Sequence, residues 1–315
     1  MNFLMLRGEY PRDRKDPTEI LYDSLQAETD MYTHLWHRVL TPIDHGTVLY
    51  YGHDYHADYA HNFDVRFQKH LRDYRTAHVP DVIFCRGDKE EYRALLKRWP
   101  MALRVYYGAG KSYMPSTRDW DLVLVDSERQ AHNIKKATKM KVELFLKPAA
   151  PHFQRVDAEK KYDVCLVAIH PRDPRKRVAW AHSTMPRGLK ALQLGNEDRN
   201  APHSFKVVNA KREAMPAMMS QCRVGILPSS SDDSGPRVVP EFAACGVPVV
   251  ASDDVNLNPA YCVPQVRLGQ FWDTVKKALA GGIPAGDPVS CESAGRVLRS
   301  QIDAIWPGRM LWKTN

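Results

Sequence analysis

Two carboxylates, Asp233 and Glu241, stand eight positions apart, and Gly235, Pro236, Arg237, Val238, Val239 and Pro240 lie between them. Pro240 has no N–H, and its ring clashes with the carbonyl four residues back, so it fits only the first turn of a helix. The spacing therefore predicts a helix that begins at residue 236 or 237, runs to about 245, and is closed by Gly246 as its C-cap. The amides of Arg237, Val238 and Val239 would then point unpaired into the preceding loop, where Gly235 lets a ligand approach the backbone. Free donors at the positive end of the helix dipole make an anion site, typically for phosphate. With Glu241 one turn in, the arrangement suits a sugar nucleotide, with amides for the diphosphate and a carboxylate for ribose hydroxyls. The plainer reading is an ordinary strand–loop–helix in which Asp233 caps the loop and Glu241 lies on a solvated face.

The elements that would position these groups are legible on either side. Residues 224–227 form an apolar run closed by Pro228, and residues 247–251 form a second, both read as buried strands. Further strands are expected at 2–6, 47–51, 81–85, 103–107, 122–126, 142–146, 163–168 and 205–209. Helices are expected from 19 to about 40, and at 90–98, 128–138, 271–280 and 292–305. Strands alternating with helices give an α/β fold with mainly parallel sheets, which bind ligands at the carboxyl ends of their strands.

The stretch from Leu227 to Ser252, with Gly235-Pro236, Pro240-Glu241 and Cys245-Gly246-Val247-Pro248, resembles the donor-binding segment of the retaining glycosyltransferases of family 4. That family carries two acids separated by seven residues; Asp233 and Glu241 keep the spacing, with Asp in place of the usual first Glu. The resemblance implies the GT-B fold, with two Rossmann-like domains facing each other across a donor cleft. It implies that Glu241 holds the donor ribose and that Asp233 lies near the sugar hydroxyls. It implies that a loop after the first strand of the second domain brings an Arg and a Lys to the diphosphate. Among Arg172, Arg175, Lys176 and Arg177, we assign Arg172 and Lys176 to that role. Family members also have glycines after the first strand of the chain, where Gly8 stands. They often supply a His to the donor sugar where this chain has Gly108 or Ala109; Gly108, Gly110 and Lys111 are expected to line the cleft. The expected domains are 1–158 for the acceptor and 159–315 for the donor, with a last helix, about 293–315, crossing back and pinned by Trp306 and Trp312.

Composition agrees with this class. The chain has 315 residues, 43% of them apolar, enough for two cores. No apolar run approaches the ~20 residues that span a bilayer, and no stable membrane insertion is expected. The six scattered cysteines include no C-x-x-C pair, which suits reduced thiols in a cytoplasmic protein. A net charge of +8 favours an anionic partner. The donor is expected to be a UDP-sugar or GDP-sugar, with no cofactor and no metal.

The small chain is also similar to bacteriophage transferases that glycosylate hydroxymethylated pyrimidines, and double-stranded DNA is the first expected acceptor. Basic clusters (Arg72 and Arg75; Lys135, Lys136, Lys139 and Lys141) suit it. A cell-envelope glycan or lipid-linked sugar is the alternative, and a non-catalytic sugar-nucleotide binder or an epimerase remains open. The run from Tyr50 to Phe63 holds His53, His56 and His61, but its spacing fits no standard metal set. Its aromatic rings interleaved with basic groups also suit stacking on bases or sugars; the plainer reading, a polar helix start that packs its tyrosines on the sheet, is preferred.

Overall fold

The computed structural model describes residues 1–9, 31–51, 55–60, 62–68, 70–87, 89–108, 114–117, 119–197, 204–230 and 236–306. The expectations at residues 19–30 and at His53, His61, Ala109, Gly110, Lys111, Asp233, Gly235 and Trp312 lie outside them. The chain divides into one unit of Met1–Leu146 with Cys291–Asn315 and a second of Lys147–Ser290. The sequence reading put the division at 158/159 and the start of the returning segment at about 293.

In the first unit, strands β1 (Asn2–Glu9), β2 (His45–Tyr51), β3 (Tyr55–Ala60), β4 (Phe63–Gln68), β5 (Val82–Arg86), β6 (Leu103–Gly108), β7 (Leu122–Val125) and β8 (Lys141–Leu144) form one sheet. Its order is β3-β4-β2-β1-β5-β6-β7-β8. Every neighbouring pair is parallel except β3 and β4, which form a hairpin. Helices α1 (Met31–His37), α2 (Glu90–Arg98) and α3 (Glu128–Ala137) belong to this unit, and Ser127 caps α3 by accepting a hydrogen bond from the Gln130 amide. Leu4, Leu6, Ile83, Cys85, Tyr106, Val123 and Ile134 share its core.

Two expectations are corrected here. Residues 55–60 and 63–68 are strands rather than a helix start. Tyr55, Ala57 and Tyr59 alternate with His56 and Asp58 at the strand period of two. Gly8 does not follow the first strand but lies inside it, opposite Tyr50, after a register shift between Leu6 and Gly8. A glycine at such an irregularity lets the strand bend and continue.

The second unit holds β9 (Tyr162–Ala168), β10 (Ala191–Gly195), β11 (Lys206–Val208), β12 (Cys222–Leu227), β13 (Val249–Ser252) and β14 (Gln265–Val266), all parallel, in the order β11-β10-β9-β12-β13-β14. Helices α4 (Val178–Thr184), α5 (Met215–Ser220), α6 (Val238–Ala244) and α7 (Phe271–Leu279) accompany it. β10 escaped the sequence reading because Gln193 interrupts its apolar run. That amide is fully buried, 2.8 Å from His182 Nε2, and it donates to the Asn196 carbonyl at 2.6 Å.

Gly195 ends β10 with φ +128°, and an added Cβ would stand 2.3 Å from the Ala168 carbonyl oxygen at the end of β9. Gly195→Ala should therefore destabilise the protein by about 2–3 kcal/mol, measured by denaturant unfolding. An unchanged midpoint would show that the backbone there relaxes freely.

The final helix, α8 (Cys291–Asp303), belongs to the first unit, with Gly295 packed against the Arg38 backbone. Trp306 is buried in the same unit. All six cysteines are free thiols; Cys262 is exposed and the other five are buried. Among the described residues no helix is long and apolar enough to cross a membrane, and no cluster of His, Cys, Asp or Glu could hold a metal.

Candidate functional site

Chain order reverses in the second sheet at β9. β10 and β11 lie to one side of this first strand, and β12, β13 and β14 to the other. The loops leaving β9 and β12 therefore diverge at their carboxyl ends, and the crevice between them is where open α/β sheets bind ligands. The sequence candidates that follow these two strands are Arg172 and Lys176 after β9, and Pro236 to Glu241 after β12.

The described parts of these loops are tied together. The Ser230 amide donates to the Arg175 carbonyl at 2.7 Å. Arg177 Nη1 reaches the Pro228 carbonyl at 3.4 Å and Asp254 Oδ2 at 2.6 Å, past the end of β13. The Ser252 hydroxyl donates to the Ser229 carbonyl. Arg177 holds this position in the left-handed region, φ 49°, as it passes from the 3-10 turn Pro174–Lys176 into α4. Arg175, rather than facing a ligand, is paired with Asp173 at Nε distances of 2.8 and 2.9 Å. The Arg175 hydrogen bonds hold the Asp173 carboxyl down to about 2. Arg172 is exposed on the turn before this segment, and Lys176 is half-buried within it. The sequence offered no signal for the bracing role of Arg177 beyond its charge.

Helix α6 begins at Val238, and Pro240 falls in its first turn as its chemistry requires. Pro236 leads in, Arg237 occupies the cap position, and no side chain among the described residues caps the end. The Val239 amide is not free as the sequence suggested. It closes a turn onto the Pro236 carbonyl at 3.4 Å, and the Glu241 amide makes the first helical bond, to Arg237, at 3.3 Å. Arg237 and Val238 keep their amides without an acceptor among the described residues.

Glu241 is 4% exposed, which removes the reading of a solvated face. Its Oε1 accepts from Arg212 Nη2 at 2.6 Å, and no described residue donates to Oε2. Arg212 sits in the 3-10 turn Arg212–Ala214 before α5, with its guanidinium 5.2 Å from the Phe153 ring and its Nε buried without a partner among the described residues. Sequence reasoning missed Arg212, one arginine among many in the chain. Next to this pair, burial and the Glu241 charge push the Cys245 thiol up to about 12, so it stays protonated and is no nucleophile.

Residues 187–275, the part that holds β10 to α7, match the family model of glycosyl transferases group 1. The fold is that of GT-B proteins, in two α/β units. Three solved structures show the likeness along the whole chain. AviGT4, a glycosyltransferase involved in avilamycin A biosynthesis, has a TM-score of 0.62 at 12% identity, over 98% of each chain. The Anabaena protein Alr3699/HepE in complex with UDP and glucose has a TM-score of 0.56 at 11% identity, over 100% of this chain and 99% of that one. A glycosyltransferase from Rickettsia africae ESF-5 has a TM-score of 0.58 at 10% identity, over 99% and 96%. No curated protein matches the sequence.

Proposed function

We propose that this protein is a retaining glycosyltransferase that moves a sugar from a nucleoside diphosphate sugar to a hydroxyl acceptor without a bound metal. The observation that carries the reading is the crossover of the second sheet. There the loop bearing Arg172 and Lys176 is bonded to the segment leading into α6, whose first turn carries two amides with no described acceptor and then buried Glu241. Amides and fixed cations stabilise a departing diphosphate by charges already in place. The resemblance assigns Glu241 to the ribose and Asp233 to the sugar hydroxyls, and Oε2 is the Glu241 oxygen that no described residue engages. The acceptor hydroxyl attacks the anomeric carbon on the face the diphosphate leaves, a phosphate oxygen takes its proton, and the gain comes from positioning. A UDP-sugar is the first donor to try, since a protein of this fold was solved with UDP and glucose; a GDP-sugar is the second.

Incubation with UDP-, GDP- and ADP-sugars tests the activity. Hydrolysis or transfer supports it, interconversion of sugars would make the protein an epimerase, and a thermal shift alone would make it a binder.

For the acceptor we propose double-stranded DNA carrying hydroxymethylated pyrimidines, as in bacteriophage DNA modification, with the reaction in the cytoplasm. A groove beside α3 supports it, lined by Lys135, Lys136, Lys139 and Lys141 together with Trp120 and Asp121. Lysines at this helix end also answer the helix dipole, so salt decides between the two roles. If they hold the backbone, log affinity for a DNA duplex falls with log salt by about 0.9 per contacted phosphate, and Lys139→Gln lowers that slope by about one. Activity that instead requires detergent and ignores salt would point to a lipid-linked sugar.

A further inference from the structure

The first unit has a crossover of its own. β1 lies between β2 and β5, so the connections leaving β1 and β5 part company at their carboxyl ends. Arg7 near the end of β1 and Arg86 at the end of β5 stand there, and both face one aromatic ring. Their guanidinium carbons lie 4.9 and 4.4 Å from the centroid of Tyr32 on α1. Tyr32 itself is 2% exposed, so the ring is a fixed platform.

The two arginines are held differently. Arg7 also lies 5.2 Å over Tyr50 and donates to the Tyr50 hydroxyl. The Arg86 guanidinium makes no hydrogen bond and no ion pair with the described residues; it lies over the Tyr32 ring. The buried carboxylate nearby, Asp126, accepts from the Tyr107 hydroxyl at 2.8 Å, and Tyr107 pairs with Arg86 across β5 and β6. A guanidinium carries five N–H donors in a planar fork. Set over a ring and half-buried, with no acceptor among the described residues, that fork is oriented and open to an added acceptor, and its geometry matches the oxygens of a phosphate.

We infer that Arg86, with Arg7 beside it on the Tyr32 ring, binds a phosphate group of the acceptor at the carboxyl end of the first sheet. This rests on the glycosyltransferase reading for the word acceptor, but not for the anion site itself. Arg86 is here a specificity residue: it selects a phosphorylated acceptor over a neutral one and takes no part in the transfer.

Calorimetry on the full chain tests it, with inorganic phosphate, a hexose phosphate, the free hexose and a short DNA duplex as probes, and with UDP titrated separately. The wild type should bind phosphorylated probes and not the free hexose. Arg86→Gln should weaken that binding roughly 10- to 100-fold, the range of a charge-assisted contact. Arg86→Lys, which keeps the charge but loses the fork, should fall between. UDP binding should be unchanged in both variants. Binding of the hexose phosphate identifies a small acceptor; binding of the duplex alone, lost in Arg86→Gln, identifies the DNA backbone. The inference is overturned if no phosphorylated probe binds the wild type, or if Arg86→Gln binds them equally well. Failure of UDP to bind the wild type would remove the transferase reading, while a phosphate site lost with Arg86 would stand.

Discussion

Glu241→Gln should lower affinity for the nucleoside diphosphate sugar roughly 10- to 100-fold, read by calorimetry, while the melting temperature moves little. Glutamine keeps the shape and an oxygen for Arg212, but it removes the charge that strengthens hydrogen bonds to a diol. Glu241→Ala is expected to do more. It takes the partner from Arg212, whose Nη2 bond to Glu241 is 2.6 Å long and whose Nε has no partner among the described residues. Breaking a buried pair from one side costs about 3 kcal/mol, at the low end of its range because Arg212 is 26% exposed, or roughly 10 °C in melting temperature. The contrast separates the two tasks of one carboxylate. If Gln and Ala lower stability but leave donor affinity unchanged, Glu241 is a structural brace and the ribose assignment is lost.

The second large effect concerns the first unit. Asp44 is 2% exposed and gathers the N-terminal ammonium at 2.6 Å, the Thr41 amide at 2.8 Å, the Thr41 hydroxyl at 2.7 Å and Arg299 of α8 at 2.5 Å. Burial alone pushes this carboxyl up, but the ammonium, the Thr41 amide and Arg299 together hold it far below the usual carboxylate range. A carboxyl depressed in the folded state contributes stability above its unfolded pKa, and that contribution is lost as pH falls through the folded value. Stability is therefore expected to decline from about pH 4 downward. Asp44→Asn should remove about 3–5 kcal/mol at neutral pH and flatten that acid limb. Denaturant midpoints against pH measure both. Parallel curves for the two proteins would show that Asp44 does not carry the acid sensitivity. The same pair fixes α8, because Arg299 also donates to the Val39 carbonyl at 3.2 Å.

Much of this was legible in the sequence where apolar runs were unbroken. β5, β7 and β12 are uniformly or nearly uniformly buried, and their runs stand out against charged flanks. The start of α6 was legible to within one or two residues because a proline restricts its own position in a helix. β10 and the β3–β4 hairpin were not, since a buried glutamine and a Tyr/His alternation imitate other patterns. At the candidate site, the sequence pointed to Glu241 and to the amides of Arg237 and Val238. It could not show that Val239 closes a turn, nor that Arg212 pairs with Glu241 from 29 positions away. Pairings of that kind depend on which strands become neighbours, and chain order alone does not encode them.

A crystal structure of the protein with UDP tests the central claim most directly. The account expects the diphosphate on the Arg237 and Val238 amides and the ribose hydroxyls within hydrogen-bond distance of Glu241 Oε2. UDP bound elsewhere, with Glu241 still engaged by Arg212 alone, would contradict it.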